Sequence, residues 1–306
     1  MNHIVAALSL LLSAFLSSSL GFQAAPTPTP QSAGTTDSPQ EMQRKAPRRE
    51  TGNPLIADPV VQRARLNQFL RANVIDPIYR RPTETELKLV EVDPAVRARY
   101  TKFLSISGAG IFKLVPDLGC GEQTTVISAQ PECLKYSLPG SGNAFSFRTN
   151  GYRIRRLADL TSSGDVFNIP GVMLQGILVK LGNVPIESIS LKSAGLQFLA
   201  GFTPSGDAKV SLAEGKRFEQ GVIQNGFQYA RSHKIEMHMT YAMRSVAYRG
   251  EFLRIVQGTS YNELSYDRRR DLIVVFRTVA FDPNGALTII WRELRNSESP
   301  KLHREK

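Results

Sequence analysis

The sequence predicts a mainly β fold of the β-rich α+β class, an antiparallel sheet in a sandwich or barrel-like arrangement, with two short N-terminal helices. Apolar and polar residues alternate with a period of two in several segments, which is typical of half-buried strands. The run 172–179 is apolar on both alternating faces, which indicates a strand covered on both sides. Two further apolar runs flank Asp282-Pro283-Asn284-Gly285, a strong hairpin turn.

The predicted helices lie near the start of the folded part. Asp58-Pro59 and Asp93-Pro94 each introduce a helix, because proline is favoured at the first helical position. The first helix is expected to end at Asp76-Pro77 and the second near Phe103. A short strand is predicted between them at 87–92, and another follows at 111–115.

The middle of the chain is predicted to be a succession of strands. Alternation or apolar character marks them at 145–148, 152–155, 172–179, 184–191 and 196–202. The run 172–179 is the best candidate for the centre of a sheet. Pro185 lacks a backbone donor and therefore favours an edge or a strand start for 184–191.

From 207 to 232 the pattern predicts a loop with one short strand. Ser211 and Glu214 have the spacing of a capping box, but Gly215, Gly221 and Gly226 disfavour a helix.

The C-terminal part returns to clear strands. Alternation from His233 to Met243 predicts one strand with one solvent-exposed face. Its methionines fit core packing, with a copper site as the alternative. The hairpin strands are predicted at 272–281 and 286–294.

The N-terminus predicts export. Residues 1–24 are typical of a secretory signal peptide, with an apolar core and small residues at Gln23-Ala24-Ala25, so a periplasmic or extracellular location is expected. The alternative is an uncleaved anchor, since the apolar segment approaches the length of a membrane span. Residues 25–54 are rich in Pro, Thr, Ser, Gln and charge and predict a disordered linker. A β-rich domain is expected at 55–296, with a subdivision near 140 as an option, and a flexible tail at 297–306.

The net charge of +11 is spread along the chain rather than gathered in one block. Such an excess favours loose attraction to an anionic polysaccharide or membrane surface. Specific binding of nucleic acid is not expected, because no recognisable module or aromatic basic face is present.

Cys120 and Cys133 are the only cysteines and are predicted to form a disulfide in an oxidising compartment. A metal site would need two more ligands, and no His or Cys lies nearby in the sequence. We expect no metal and no cofactor.

Candidate catalytic residues are sparse. No G-x-S-x-G elbow is present, and His233 and His238 would point to opposite faces of one strand. A carboxylate pair could still be assembled by the fold; the candidates are Glu236, Glu251, Glu263, Asp267 and Asp271. Arg153 and Arg155 would project from the same strand face, where they could bind an anion.

The sequence therefore favours an exported, non-enzymatic β-rich protein with a binding or envelope-associated role. The alternative is a carboxylate-dependent hydrolase that acts on cell-wall or polysaccharide material.

Overall fold

A computed structural model describes residues 58–117 and 138–303. These residues belong to one compact unit that spans Leu55–Lys306. The predicted signal peptide and linker, together with Cys120 and Cys133, lie outside the described residues.

The fold is β-rich α+β, and every strand pairing is antiparallel. Strands are numbered in chain order. The larger sheet has seven strands in the spatial order β1 (Ala109–Leu114), β14 (Leu287–Glu298), β13 (Arg270–Phe281), β10 (Thr240–Ala247), β6 (Leu174–Gly182), β8 (Phe227–Ala230) and β7 (Val222–Gln224).

Two smaller sheets complete the β structure of the described residues. One has five strands in the order β3 (Gly151–Tyr152), β2 (Ala144–Ser146), β4 (Leu160–Ser163), β5 (Val166–Asn168) and β9 (Ser232–Lys234). The other is the two-stranded hairpin of β11 (Leu253–Val256) and β12 (Thr259–Asn262).

Six α-helices are present among the described residues. They are α1 (Pro59–Leu70), α2 (Glu84–Leu89), α3 (Pro94–Arg99), α4 (Thr101–Leu104), α5 (Leu196–Gly201) and α6 (Ala208–Gln220). Four of them precede β1, where the sequence predicts two. No helix in the described ranges is long and apolar enough to span a bilayer.

The inner strands of the seven-stranded sheet are buried on both faces. One face packs against the five-stranded sheet through aromatic contacts; Phe147 and Phe167 both reach Phe276 of β13. The opposite face packs against helices, including Leu199 of α5 and Phe218 of α6. The described part of this unit is therefore layered as sheet, sheet and helices, which explains why the run 172–179 is apolar on both sides.

That apolar run forms most of β6, an inner strand between β10 and β8. The middle position of the seven belongs to β10, all eight residues of which are buried. The prediction of an interior strand is confirmed, while the exact centre lies one strand away.

Three segments predicted as strands have another structure. Residues 87–89 belong to α2, whose capping box joins Thr83 and Glu86. In 184–191 the structure has a short 3-10 helix at Ile186–Ser188. Residues 196–201 form α5, which buries Leu196 and Leu199. Short apolar runs do not distinguish a strand from a buried helix by periodicity, and tertiary packing decides between them.

The prediction of a loop from 207 to 232 is also wrong. Helix α6 occupies most of the first half, and Asp207 caps it by accepting a hydrogen bond from Val210 N at 2.8 Å. Gly221 and Gly226 fall beyond the helix, at positive φ. Burial of Phe218 against the sheet outweighs the low helix propensity of Gly215.

The predicted single strand 233–243 is divided between two sheets. Strand β9 pairs with β5, whereas β10 pairs with β6 and β13. His238 lies in the turn between β9 and β10 with φ 60°, a left-handed conformation that breaks the alternation. Met243 is fully buried in the core between the sheets.

The C-terminal hairpin is confirmed. Strands β13 and β14 pair over almost their whole length, and Asp282 N donates to Ala286 O at 2.8 Å across the turn. Strand β14 continues to Glu298, and Lys301 and His303 form bridges to Arg249 and Asp207. These contacts lie in the segment where the sequence predicts a flexible tail.

Candidate functional site

The candidate site is a cleft of 1270 Å³ beside helix α6. One wall is the cleft-facing side of α6, and the other comes from residues 250–253 at the start of β11. The start of β6 and residues 301–302 complete the lining. The volume exceeds the roughly 300–1,000 Å³ common for small-molecule sites, so a ligand of substantial size would fit.

A hydrogen-bonded polar group lines part of the cleft. The Tyr248 hydroxyl donates to Gln175 Oε1 at 2.6 Å, and Gln175 Nε2 donates to Glu214 Oε2 at 3.4 Å. Burial raises the pKa of Tyr248, which keeps the phenol neutral. Since Tyr248 and Gln175 already satisfy each other, this part of the lining is polar but uncharged.

Several apolar side chains also line the cleft. Met173 and Leu174 contribute from the start of β6, and Phe252 contributes from the opposite wall. The guanidinium of Arg156 lies 5.3 Å from the centroid of the Phe252 ring. Leu212 of α6 and Leu253 of β11 line the cleft and are each 64% exposed, so each wall carries one exposed leucine.

Charged residues of both signs are also part of the lining. The cations are Lys216, Arg231 and Lys301, and the acids are Glu219 and Glu251. Arg231 donates to Ile169 O at 2.7 Å, and burial lowers its pKa while the charge of Glu219 opposes that effect. The other four charges form no ion pair in the described part of the chain.

The predicted carboxylate cluster is dispersed by the fold. Glu263 is fully buried and accepts hydrogen bonds from Arg156 at 2.8 Å and from the Tyr79 hydroxyl at 2.9 Å. Arg254 approaches it at 3.7 Å. Burial, reinforced by the hydrogen bond with Tyr261 and the charge of Glu263, raises the pKa of Tyr79. This carboxylate ties residues 76–79 to β12.

Two further members of the cluster are held in buried ion pairs. The side chain of Asp267 is fully enclosed, and its Oδ2 lies 2.7 Å from Arg269 Nη1 and 3.1 Å from Arg148 Nη2. Asp271 forms a two-point ion pair with Arg244, at 2.9 and 2.6 Å. Neither carboxylate lines the cleft.

The last two members differ in position. Glu236 is on the surface and pairs with Lys180 at 2.7 Å, and the hydrogen bond from Lys180 lowers its pKa. Only Glu251 lines the cleft. The five carboxylates therefore do not make a common site, and Glu219, which sequence reasoning did not single out, is the second acid at the cleft.

The proposed Arg153 and Arg155 pair does not share a strand face. Strand β3 ends at Tyr152, and Arg155 begins a 3-10 helix. Arg153 is buried and donates to the carbonyl oxygens of Tyr79 and Tyr266, while Arg155 pairs with Asp117 at 3.0 Å. These arginines fasten neighbouring segments together.

His233 and His238 are also apart from the cleft lining. His233 Nε2 lies 3.1 Å from Leu178 O, and burial lowers the pKa of this imidazole. Within residues 58–117 and 138–303, no group of three or more His, Cys, Asp or Glu side chains is placed to hold a metal ion.

Sequence reasoning missed most of the cleft. Its residues come from β6, α6, the segment after β10 and the C-terminal segment, and they share no spacing in the sequence. The only local signal is Asp207, a residue type suited to capping a helix, which could have located the start of α6.

Comparisons with known proteins give no functional lead. The sequence matches no protein-family model and no curated protein, and the fold matches no solved structure.

Proposed function

We propose that this chain is an exported, non-enzymatic binding protein whose ligand occupies the cleft beside α6. The observation that carries the proposal is the cleft itself, a 1270 Å³ site lined by both apolar and polar side chains. Proteins bind ligands preferentially in concave sites of this kind.

The state of the carboxylates supports binding rather than hydrolysis. A glycosidase needs two carboxyl groups that face each other across the scissile bond, and one of them must carry a proton. Glu263, Asp267 and Asp271 are instead buried against arginines. None of the three lines the cleft, so none is placed to face a scissile bond there.

Export is supported by the N-terminal sequence and by the two cysteines. Mass spectrometry of the mature protein, before and after reduction, tests it. We expect removal of about 24 residues and a gain of about two mass units on reduction, from one disulfide between Cys120 and Cys133. A full-length product with two free thiols would contradict export.

Native mass spectrometry of the full mature protein from its own source tests the binding function. We expect a non-covalent adduct that is recovered chemically unchanged after denaturation. The control is Gly215→Trp: Gly215 lines the cleft, and a Cβ there meets no atom within 4 Å, so the large side chain enters the cleft without a backbone clash. This variant should fold and lose the adduct. An adduct retained by both proteins, or by neither, would contradict the proposal.

The second candidate function is a polysaccharide or cell-wall hydrolase. One observation favours it: Glu219 and Glu251 both line the cleft and make no ion pair among the described residues. Release of soluble fragments from cell-wall material, in excess over the protein and abolished by Glu251→Gln and by Glu219→Gln, would support hydrolysis. Glu298→Gln, at a 78% exposed side chain outside the cleft, is the control.

A further inference from the structure

The ligand class of the cleft can be inferred from its exposed apolar residues and its charged residues. Leu212 and Leu253 are each 64% exposed although both belong to the lining of a large cleft. A ligand that covers these two side chains would remove their apolar area from water, which favours binding. A ligand with an apolar part would gain this contribution from both walls.

Four further apolar side chains belong to the lining. They are Met173, Leu174 and Phe252, together with Leu302 of the C-terminal segment. The Tyr248 hydroxyl and the Gln175 side chain satisfy each other, so they do not require a hydrogen bond from the ligand. An alkyl chain could therefore lie along the cleft without leaving these two groups unpaired.

The charges define the other end of the ligand. Lys216 and Lys301 are exposed cleft residues, and neither forms an ion pair in the described ranges. Arg231 adds a third cation, against the acids Glu219 and Glu251. Because Arg231 already donates to Ile169 O at 2.7 Å, the two exposed lysines are the cations available to a ligand. Their ammonium groups would attract a carboxylate at the opening of the cleft.

We propose that the cleft binds a single-chain anionic amphiphile, a long-chain carboxylate, with its alkyl chain between Leu212 and Leu253 and its carboxylate near Lys216 and Lys301. This inference rests on the proposed binding function and names the chemical class of the ligand.

The test is calorimetric titration of the full mature protein with tetradecanoate and with its neutral counterpart, tetradecan-1-ol, below their aggregation concentrations. We expect saturable one-to-one binding of tetradecanoate, at least tenfold tighter than that of the alcohol. In a series of shorter carboxylates, affinity should fall by about fourfold for each methylene removed, the value for burial of a CH₂ group.

Two variants test the charged part and the apolar part of the site separately. Lys216→Ser combined with Lys301→Ser should weaken tetradecanoate binding by about tenfold and leave the alcohol unaffected. Leu212→Ser should weaken both ligands. The matched controls are Lys102→Ser, an exposed lysine of α4, and Ile223→Ser, a 79% exposed residue of β7, neither of which lines the cleft. Both controls should bind like the wild type.

The outcomes distinguish this inference from the proposed function. Equal binding of alcohol and carboxylate, abolished by Gly215→Trp, would overturn the anionic ligand and keep the binding cleft. A polar adduct in native mass spectrometry, with no binding of tetradecanoate or tetradecan-1-ol, would also overturn the anionic amphiphile and keep the binding cleft. Tetradecanoate binding that survives Gly215→Trp would overturn the inference, because the ligand would lie elsewhere. Absence of any adduct and of any alkyl binding would overturn both proposals.

Discussion

Buried carboxylates join distant segments of this chain, so removal of one of them leaves its partner uncompensated. Glu263 is fully buried and joins residues that are far apart in the sequence, since it contacts Tyr79 at one side and Arg156 at the other. Removal of one partner from a buried ion pair leaves a charge without compensation, which costs more than the intact pair contributes.

Glu263→Ala should therefore lower the free energy of unfolding by about 2–4 kcal/mol, measured by urea denaturation. The lower part of this range is favoured because the Arg156 side chain is 33% exposed and can be partly solvated. Glu298→Ala is the control, since its side chain is 78% exposed and lies 3.8 Å from Arg249; it should change stability by less than about 0.5 kcal/mol. Equal effects of the two substitutions would contradict this role of Glu263.

Glu86 provides a test by pH. Its hydrogen bond from Arg80, at 2.6 Å, lowers the pKa of the Glu86 carboxyl from 4.5 to about 2, against the opposing effect of burial. A carboxyl whose pKa is lower in the folded state stabilises the fold above its unfolded pKa, and this stabilisation disappears as the pH falls through the folded pKa.

The difference in unfolding free energy between the wild type and Glu86→Gln should thus be constant above pH 4.5 and shrink between pH 4.5 and about 2. Chemical denaturation at a series of pH values measures it. Glu84→Gln, which neutralises an exposed neighbour in α2, is the matched control for the substitution itself. A wild-type advantage that grows on acidification would contradict the lowered pKa.

At the scale of elements, α6 depends on its N-terminal cap. Asp207 accepts a hydrogen bond from Val210 N and precedes a helix with few buried residues, Ser211 and Phe218. Asp207→Ala should destabilise the protein by about 1 kcal/mol in thermal or urea unfolding. Asp165→Ala is the control, at a 72% exposed side chain 4.0 Å from Lys234, and should have little effect. An unchanged stability of the Asp207→Ala variant would contradict the capping role of Asp207. Because α6 forms a wall of the cleft, that result would also count against the cleft as a stable site.

Two glycines test how closely the elements pack. A Cβ at Gly176 of β6 would lie 2.3 Å from Ile169 Cγ2, whereas a Cβ at Gly215 of α6 meets no atom within 4 Å. Gly176→Ala should therefore destabilise by about 1–3 kcal/mol through overpacking. Gly215→Ala should stabilise by about 0.5–1 kcal/mol, because alanine favours a helix. If the unfolding free energy changed in the same direction for both substitutions, the result would be inconsistent with this packing.

The strands with strong turn chemistry or full burial could be predicted from the sequence, and the helices on the sheet could not. Asp282 to Gly285 fixes the last hairpin locally, so its strands were found. Leu196 and Leu199 are apolar residues in a short segment, where a strand and a buried helix have the same pattern. The turn at His238 gives no signal, because a left-handed histidine is uncommon and depends on its surroundings.

At the scale of the whole molecule, the packing of the sheets and helices in layers determines which residues meet at the cleft. These residues are far apart in the sequence, so the sequence alone does not predict the site. The seven-stranded sheet is covered by the smaller sheet on one face and by helices on the other. This arrangement brings Gln175, Ser211 and Tyr248 together at the cleft from three separate segments. Conversely, the acidic residues that are neighbours in the sequence at 263–271 are separated by it, each beside a different arginine. Sequence proximity was therefore a poor guide to the site.

The central claim is that the cleft beside α6 is the ligand site. Methyl NMR of the full mature protein during titration with tetradecanoate tests it most directly. We predict that the methyl signals of Met173, Leu212 and Leu253 shift together and saturate at one equivalent, while those of the exposed residues Val60 and Ile223, outside the cleft, do not move. Shifts that never saturate, or that are confined to Val60 and Ile223, would contradict the claim.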